Sequence, residues 1–300
     1  MTALRNLIQT LVALGTNAYL LFPWGSVIYQ GPLKAVCHPG LNCYSCPGAL
    51  LSCPVGAVQN FIASLRYTMP GNFPHLGAMV VGYLGFIGTL VGRLPCGWLC
   101  PFGFIQDLLH KVPTPKFNLW APLRWVKYGV LVVMVILMPF FLLDQYGLGQ
   151  PWFCKLLCPA GTLEGALPLV FLKPALWTTI GFYFWNKLAI LTIIIILAIF
   201  ISRPFCRILC PLGAFYSLFS RMTLVKLEFT EGNCVQCRAC VKICPTGVVP
   251  HEQKDSRECI MCLKCLDACQ FQALRFGLRR PLPAPREAHA HSQISGVKNA

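Results

Sequence analysis

The sequence predicts an all-α membrane domain of about four transmembrane helices in two repeated halves, followed by a small α+β domain built around cysteines. Three observations carry this reading. Apolar residues make up 56% of the 300 positions and charged residues 12%, and mean hydropathy is +0.60, so most of the chain cannot face water. Apolar stretches near the roughly 20-residue crossing length recur along it. Eighteen cysteines fall in repeated spacings rather than singly.

The expected spans run from about Leu7 to Tyr29, Leu76 to Gly92, Tyr128 to Tyr146 and Phe182 to Ser202. Trp24 and Tyr29 anchor the first at the interface. Gly88 and Gly92 form a GxxxG pair in the second, which permits close helix approach. Pro139 predicts a kink in the third. Trp185, Lys187 and Arg203 flank the fourth. Leu163–Leu172 is too short to cross and reads as re-entrant or interfacial. The N-terminal stretch after Arg5 has no small-residue cleavage site and reads as a retained span.

Four crossings put both termini on one side. On that side lie Arg5, Arg93, Lys111, Lys116, Arg124, Lys127, Arg203, Arg207, Arg221 and Lys226, against Lys34, Arg66, Lys155, Lys173 and Lys187 on the other. This excess places both termini in the cytoplasm of a bacterial or archaeal cell, with the chain multi-pass in the cytoplasmic (inner) membrane. The net charge of +15 is thereby a topology signal, and nucleic-acid binding is set aside. The expected domains are 1–226 (membrane), 227–280 (cysteine-rich) and 281–300, a proline-rich disordered tail.

The strongest motif is Cys234-x2-Cys237-x2-Cys240-x3-Cys244-Pro245, repeated as Cys259-x2-Cys262-x2-Cys265-x3-Cys269. In bacterial two-cluster ferredoxins the first three cysteines of a run hold one [4Fe–4S] cluster and the fourth reaches across to the other. Cys234, Cys237, Cys240 and Cys269 are therefore assigned to one cluster, and Cys259, Cys262, Cys265 and Cys244 to the second. Paired CxxC motifs also hold zinc, but two runs of four at this repeated spacing do not fit that alternative. Gln270 stands where proline often follows the second run, which leaves the ligand set intact.

A second pattern, Cys-Pro-x-Gly, occurs at Cys53, Cys100, Cys158 and Cys210. Cys96, Cys154 and Cys206 lie four residues earlier in three copies. The first copy has Ala49 there, with Cys46 and Cys43 displaced upstream. Six residues after each motif cysteine stands Gln59, Gln106, Glu164 or Tyr216. Proline is favoured in the first turn of a helix. The cysteine before it then sits at a helix N-terminus, where free N–H groups favour a thiolate, and the glycine lets something bulky approach. One copy would mark only a tight turn; four copies point to redox sites.

The copies are separated by single spans, so they should alternate sides. Cys96, Cys100, Cys206 and Cys210 should meet at the cytoplasmic face. Cys46, Cys53, Cys154 and Cys158 should meet at the opposite face, with Cys43 or Cys37 as substitutes. The halves 37–115 and 150–225 then pair as internal repeats. One or two further iron–sulfur clusters are expected in the membrane domain. A hydrocarbon core of roughly 30 Å is far for one electron hop, so the clusters must sink into the protein or a quinone must bridge the gap. Cys37 and Cys43 are alternative ligands or a disulfide.

Asp144 and Glu164 lie near outer ends of membrane segments, where carboxylates often handle protons, and either could serve a quinone. Both also fit the headgroup zone. His38, His75 and His110 are not mid-span, and Cys-x-x-Cys-His is absent, so haem is not expected. Without a P-loop or dinucleotide fingerprint, nucleotide chemistry belongs to a partner.

Cys96-Gly97-Trp98-Leu99-Cys100-Pro101 and Cys206-Arg207-Ile208-Leu209-Cys210-Pro211, followed by the Cys234–Cys269 runs, resemble the NapH/NosR-type membrane ferredoxins over most of residues 75–270. The resemblance implies an electron-transfer subunit of a membrane redox complex, commonly quinol-oxidising. The further CxxxCP at Cys154–Cys158 and the Cys37–Cys53 cysteines depart from that pattern and favour conduction across the bilayer. The expected function is an iron–sulfur electron-transfer subunit working with partner subunits. A quinone-reactive subunit and a metal-handling assembly or regulatory protein are the alternatives.

Overall fold

Prolines and glycines mark where the helices begin and end. The computed structural model describes residues 2–19, 28–65, 75–145, 147–253 and 256–278. Trp24, Tyr146 and the 281–300 tail lie outside the described residues.

Of the first expected span, residues 20–27 lie outside the described residues; its first part belongs to a 15-residue helix, Thr2–Thr16. It stops because the Leu50 N–H takes the Thr16 carbonyl (2.9 Å) and the chain then joins the following loop through Tyr19 N–H to Gly48 O (3.1 Å). The helix is polar on its inner side and apolar on its outer side. Arg5 and Gln9 are buried, whereas Leu4, Leu7, Leu11 and Leu14 are each more than half exposed.

The second expected span is the helix His75–Val91, whose apolar part, Ala78–Val91, is shorter than a crossing length. It ends at Gly92, where φ is +57°, the left-handed conformation that glycine adopts at helix ends. Gly88 makes room for a side chain rather than for another helix backbone: a Cβ there would stand 2.8 Å from the Phe219 ring.

Two helices, Ala121–Phe141 and Phe182–Phe200, are long and apolar enough to cross a membrane. Only 17% of either apolar window is buried, which separates them from the core helices of a water-soluble domain. In place of a simple kink at Pro139, the first contains a π-helical stretch, Leu131–Leu137. Pro139 lacks an N–H and its ring crowds the carbonyl four residues back, so a widened turn accommodates it. Gly161–Leu172 forms a shorter apolar helix.

Short helices sit at the ends of these long ones. Leu94–Trp98 and Pro101–Leu109 are echoed by Pro204–Ile208 and Pro211–Phe219, and Trp152–Leu156 precedes the Gly161–Leu172 helix. The cysteine-rich lobe is closed by two strands. β1 (Val225–Phe229) pairs antiparallel with β2 (Leu274–Leu278), with Val225 opposite Leu278 and Phe229 opposite Leu274, so the two ends of the lobe are tied together.

Charge, rather than apolar packing alone, holds the centre. Asp107 is shared by two buried arginines: Arg203 grips it with Nε (2.7 Å) and Nη2 (2.6 Å), and Arg5 reaches its Oδ2 from the N-terminal helix. Burial pushes the Asp107 carboxyl up, but Arg203 and then Arg5 outweigh it and hold it below the usual carboxylate range. Removing one partner of a buried ion pair leaves the rest uncompensated, at a cost of about 3–5 kcal/mol. Asp107→Ala, which strands two guanidinium groups, is expected to lose about that much, read as a lowered unfolding midpoint in detergent. An unchanged midpoint would show that the shared carboxylate is not structural.

Candidate iron–sulfur sites

Each Cys-Pro step caps a helix with sulfur. Cys100 and Cys210 are extended N-cap residues whose Sγ accepts the N–H of Gly103 and Gly213, each at 3.4 Å. Cys158 does the same with Gly161 at 3.3 Å. Proline fixes the first turn, and the sulfur takes the place of the usual side-chain oxygen cap.

The second and fourth copies form an inner site. Cys96, Cys100, Cys206 and Cys210 are all buried, and their sulfurs lie within electrostatic reach of one another. Arg93 and Arg203 stand at matching positions of the two copies, each three residues before its upstream cysteine. Arg203 Nη1 donates to Cys96 O (2.6 Å). The glycines leave space for these arginines: a Cβ on Gly103 would lie 3.4 Å from Arg203, and one on Gly213 3.3 Å from Arg93. Arg203 adopts a left-handed backbone (φ 50°), a conformation costing roughly 1–2 kcal/mol; its bonds to Asp107 and Cys96 hold it there.

The first and third copies form an outer site on the same plan. Gln59 Nε2 donates to Cys154 Sγ (3.3 Å) while its Oε1 accepts from Phe153 N–H (3.0 Å). At the inner site Gln106 Nε2 donates to Cys206 Sγ (3.2 Å) while its Oε1 accepts from Phe205 N–H (3.2 Å). The residues six positions after the motif cysteines thus hold the opposite copy. Glu164 and Tyr216 complete the set on the 36–46 loop, Glu164 accepting from Cys43 N–H (2.7 Å) and Tyr216 donating to Pro39 O (2.9 Å).

A cavity of about 330 Å³ at the outer site is lined by Cys43, Cys53, Cys154 and Cys158. Cys43, rather than Cys46, is on its wall. Cys46 lies past a turn in which its N–H bonds Cys43 O (3.1 Å), whereas Gly161 and Gly165 leave room for the Cys43 sulfur: Cβ atoms there would stand 3.7 and 3.3 Å from it. Cys37 lies elsewhere, bridged by its backbone to Ser52, and all eighteen cysteines are free thiols. Asp144 is not brought to either site; it organises its own loop, accepting from Gln145 N–H (2.8 Å) and Gln150 Nε2 (2.7 Å).

In place of quartets on opposite lipid surfaces, the structure joins the two sites through one loop. Gly40 lies against Cys100, where a Cβ would come within 2.8 Å of its Cα, and Leu41 O is 4.0 Å from Cys100 Sγ. Cys43 follows two residues later. Extended chain covers about 3.5 Å per residue, so the Cys100 sulfur and the Cys43 Cα are at most about 14 Å apart.

In the ferredoxin lobe one cavity is lined by Cys234, Cys237, Cys240 and Cys269, and another by Cys244, Cys259, Cys262 and Cys265. The two runs carry left-handed residues at matching positions, Gln236 and Arg238 in one, Met261 and Leu263 in the other, which curl N–H groups around each cavity. The lobe sits directly on the inner site. Trp98 Nε1 donates to Met261 O (2.9 Å), and Arg93 Nη1 donates to Arg257 O (2.7 Å). Glu258 receives both Arg93 and Lys127. A Cβ on Gly97 would overlap the Ile260 carbonyl and lie 3.7 Å from Cys262 N. Among the described residues no three His, Cys, Asp or Glu side chains close on a point that one metal ion would occupy. The thiols instead surround spaces larger than an ion, which fits a cluster of several atoms.

The roles of Arg93, Arg203, Gly97 and the 38–43 loop were not legible as site features in sequence. The arginine three residues before each inner CxxxCP was the available signal.

Thiols in this arrangement, within a two-cluster lobe and a helical domain bearing two apolar spans, define an iron–sulfur electron-transfer protein of the 4Fe–4S type. The chain belongs to the NapH/NosR-type 4Fe–4S ferredoxin family. The 4Fe–4S binding domain matches residues 73–119, 128–167 and 184–229, and the 4Fe–4S dicluster domain matches 222–282. The uncharacterized protein MJ0750 of Methanocaldococcus jannaschii is 32% identical over 234 residues, 75% of this chain and 85% of that protein. The ferredoxin-type protein NapH of Haemophilus influenzae is 26% identical, covering 70% of each. The regulatory protein NosR of Pseudomonas aeruginosa is 29% identical over 57% of this chain and 22% of its own length. No solved structure matches the chain.

Gly97→Val is expected to lift the ferredoxin lobe from the inner site, read as faster proteolytic cleavage between the lobe and the rest of the chain. Cleavage at the wild-type rate would show that the lobe does not need this contact.

Proposed function

We propose that the chain conducts electrons along four [4Fe–4S] clusters, from a cytoplasmic ferredoxin lobe into the membrane. The order is Cys234/Cys237/Cys240/Cys269, then Cys244/Cys259/Cys262/Cys265, then Cys96/Cys100/Cys206/Cys210, then Cys43/Cys53/Cys154/Cys158. The single observation that carries this is the contiguity of the sites. Within the lobe the cross-over cysteines lie one helical turn from the neighbouring set, roughly 6 Å of rise. Gly97 joins Cys96 to the Cys262 backbone, and Leu41–Cys43 joins the inner site to the outer one. Each link is short against a hydrocarbon core of roughly 30 Å, so no mobile carrier is needed between the sites. Bound clusters take up and release single electrons. The protein's own residues bury the sulfurs, exclude water and fix their spacing.

In this reading the membrane is crossed by Ala121–Phe141 and Phe182–Phe200, with His75–Val91 and the inside-out N-terminal helix completing a lipid-facing coat. The exposed Leu4–Leu14 stripe and the buried Arg5 support it. The excess of basic residues on the lobe side supports a cytoplasmic lobe in the cell's inner membrane. The lobe end and the outer cavity, where Lys155 and Lys187 lie, are the two places where partner subunits of a redox complex would exchange electrons with the chain. In the alternative quinone-reactive reading Asp144, which accepts from Gln150 in its own loop, or Glu164, which accepts from Cys43 N–H, would handle the protons.

Anaerobically purified protein is expected to hold roughly sixteen iron atoms, four per Cys₄ site. Cys43→Ser is expected to remove about four of them, and Cys46→Ser none. About eight in the wild type would confine the clusters to the lobe and end the proposal. Equal losses in both serine variants would refute the choice of Cys43.

A further inference from the structure

Among the described residues, Asn42 stands between the inner and outer sites with a polarity that the fold does not explain. Its side chain is fully buried, and both its Nδ2 and its Oδ1 lack a hydrogen-bond partner. A carboxamide offers two donors and two acceptor positions, and leaving such a group unpaired in an apolar interior is destabilising. Asn42 lines the cavity formed by Cys43, Cys53, Cys154 and Cys158. Its backbone is held from both sides, by Leu41 against Cys100 and by Cys43 against Glu164. Besides the four cysteines and apolar residues such as Leu41 and Leu169, the cavity wall carries Tyr44, Ser45, Lys155 and Lys187, of which the lysines can only donate.

The chemistry that satisfies an amide N–H in such a cavity is an anionic sulfur. We infer that Asn42 donates a hydrogen bond to the iron–sulfur cluster of the outer site and thereby raises its reduction potential; this rests on the four-cluster reading above. The sign follows from charge. Reduction adds an electron, so a donor aimed at the sulfurs stabilises the reduced form more than the oxidised one. Hydrogen bonding to sulfur is among the levers that set cluster potentials. Gln59, which serves Cys154, has its counterpart at the inner site in Gln106. Asn42 has no such counterpart. It therefore distinguishes the outer site from the inner one, and its effect should fall on the outer cluster.

The test is a reductive titration of the full chain in detergent, followed by electron paramagnetic resonance. The outer cluster is identified as the signal that Cys158→Ser removes. Asn42→Leu keeps the size and removes the donors; Asn42→Asp keeps the shape and replaces the donor with an acceptor. Both are expected to retain wild-type iron and shift the outer signal to lower potential, Asp further than Leu, with the lobe signals unmoved. Should Leu cost the cluster, the Asp variant decides alone. An outer signal at wild-type potential in a variant with intact iron, or one shifted upward, overturns the role of Asn42. If no wild-type signal depends on Cys158, the outer cluster itself is refuted, a failure distinguishable from that of Asn42.

Discussion

Everything in the helical domain depends on how a Cys-Pro step starts a helix. Proline fixes the first turn and needs no N–H partner, so the preceding residue is forced into extended backbone with its side chain over the helix end. With cysteine there, the sulfur accepts the N–H of the glycine three residues on, as at Cys100, Cys158 and Cys210. The same glycine has no Cβ, and the space is taken by an arginine or by a second cysteine's sulfur. One local rule thereby fixes the thiol, its direction and the room around it. Pairing two such steps yields a quartet when each contributes an upstream cysteine, as at the inner site. The outer site fills its missing corner from a loop.

Much of this was legible in the sequence. The ferredoxin runs carry their grouping in their spacing, and the structure gathers Cys269 with the first run and Cys244 with the second. The expectation that the second copy pairs with the fourth, and the first with the third, came from counting four spans, of which two are helices long and apolar enough to cross a membrane. Three features were not legible. The depth of the sites depends on where the motif helices pack along the long ones, which no local pattern encodes. The choice of Cys43 depends on a turn at Cys46 and on the glycines at 161 and 165, distant in sequence. The end of the first helix at Thr16 depends on a tertiary bond from Leu50. Apolar length suggested a longer span because the helix's outer face reads as lipid-facing while its inner face carries Arg5.

Arg5, Arg93, Arg203 and Lys127 are buried cations, and two carboxylates, Asp107 and Glu258, answer them. Buried carboxylates are ordinarily raised, yet Arg93 and Lys127 hold Glu258 below the usual range despite its burial. The cationic excess lies next to the inner thiols. In the proposed relay a cluster on these four thiolates would carry negative charge, and this surplus would be its counter-charge.

The seating of the ferredoxin lobe bears on traffic. Trp98, Arg93, Lys127 and Gly97 grip the stretch from Arg257 to Met261, and the lobe's two ends are zipped by β1 and β2. A lobe anchored at this many points cannot swing out on a tether to collect its cargo, as a shuttle would. In the proposed relay a soluble partner would have to come to the lobe itself, where Cys237 reaches the surface beside the exposed Val235 and Phe271.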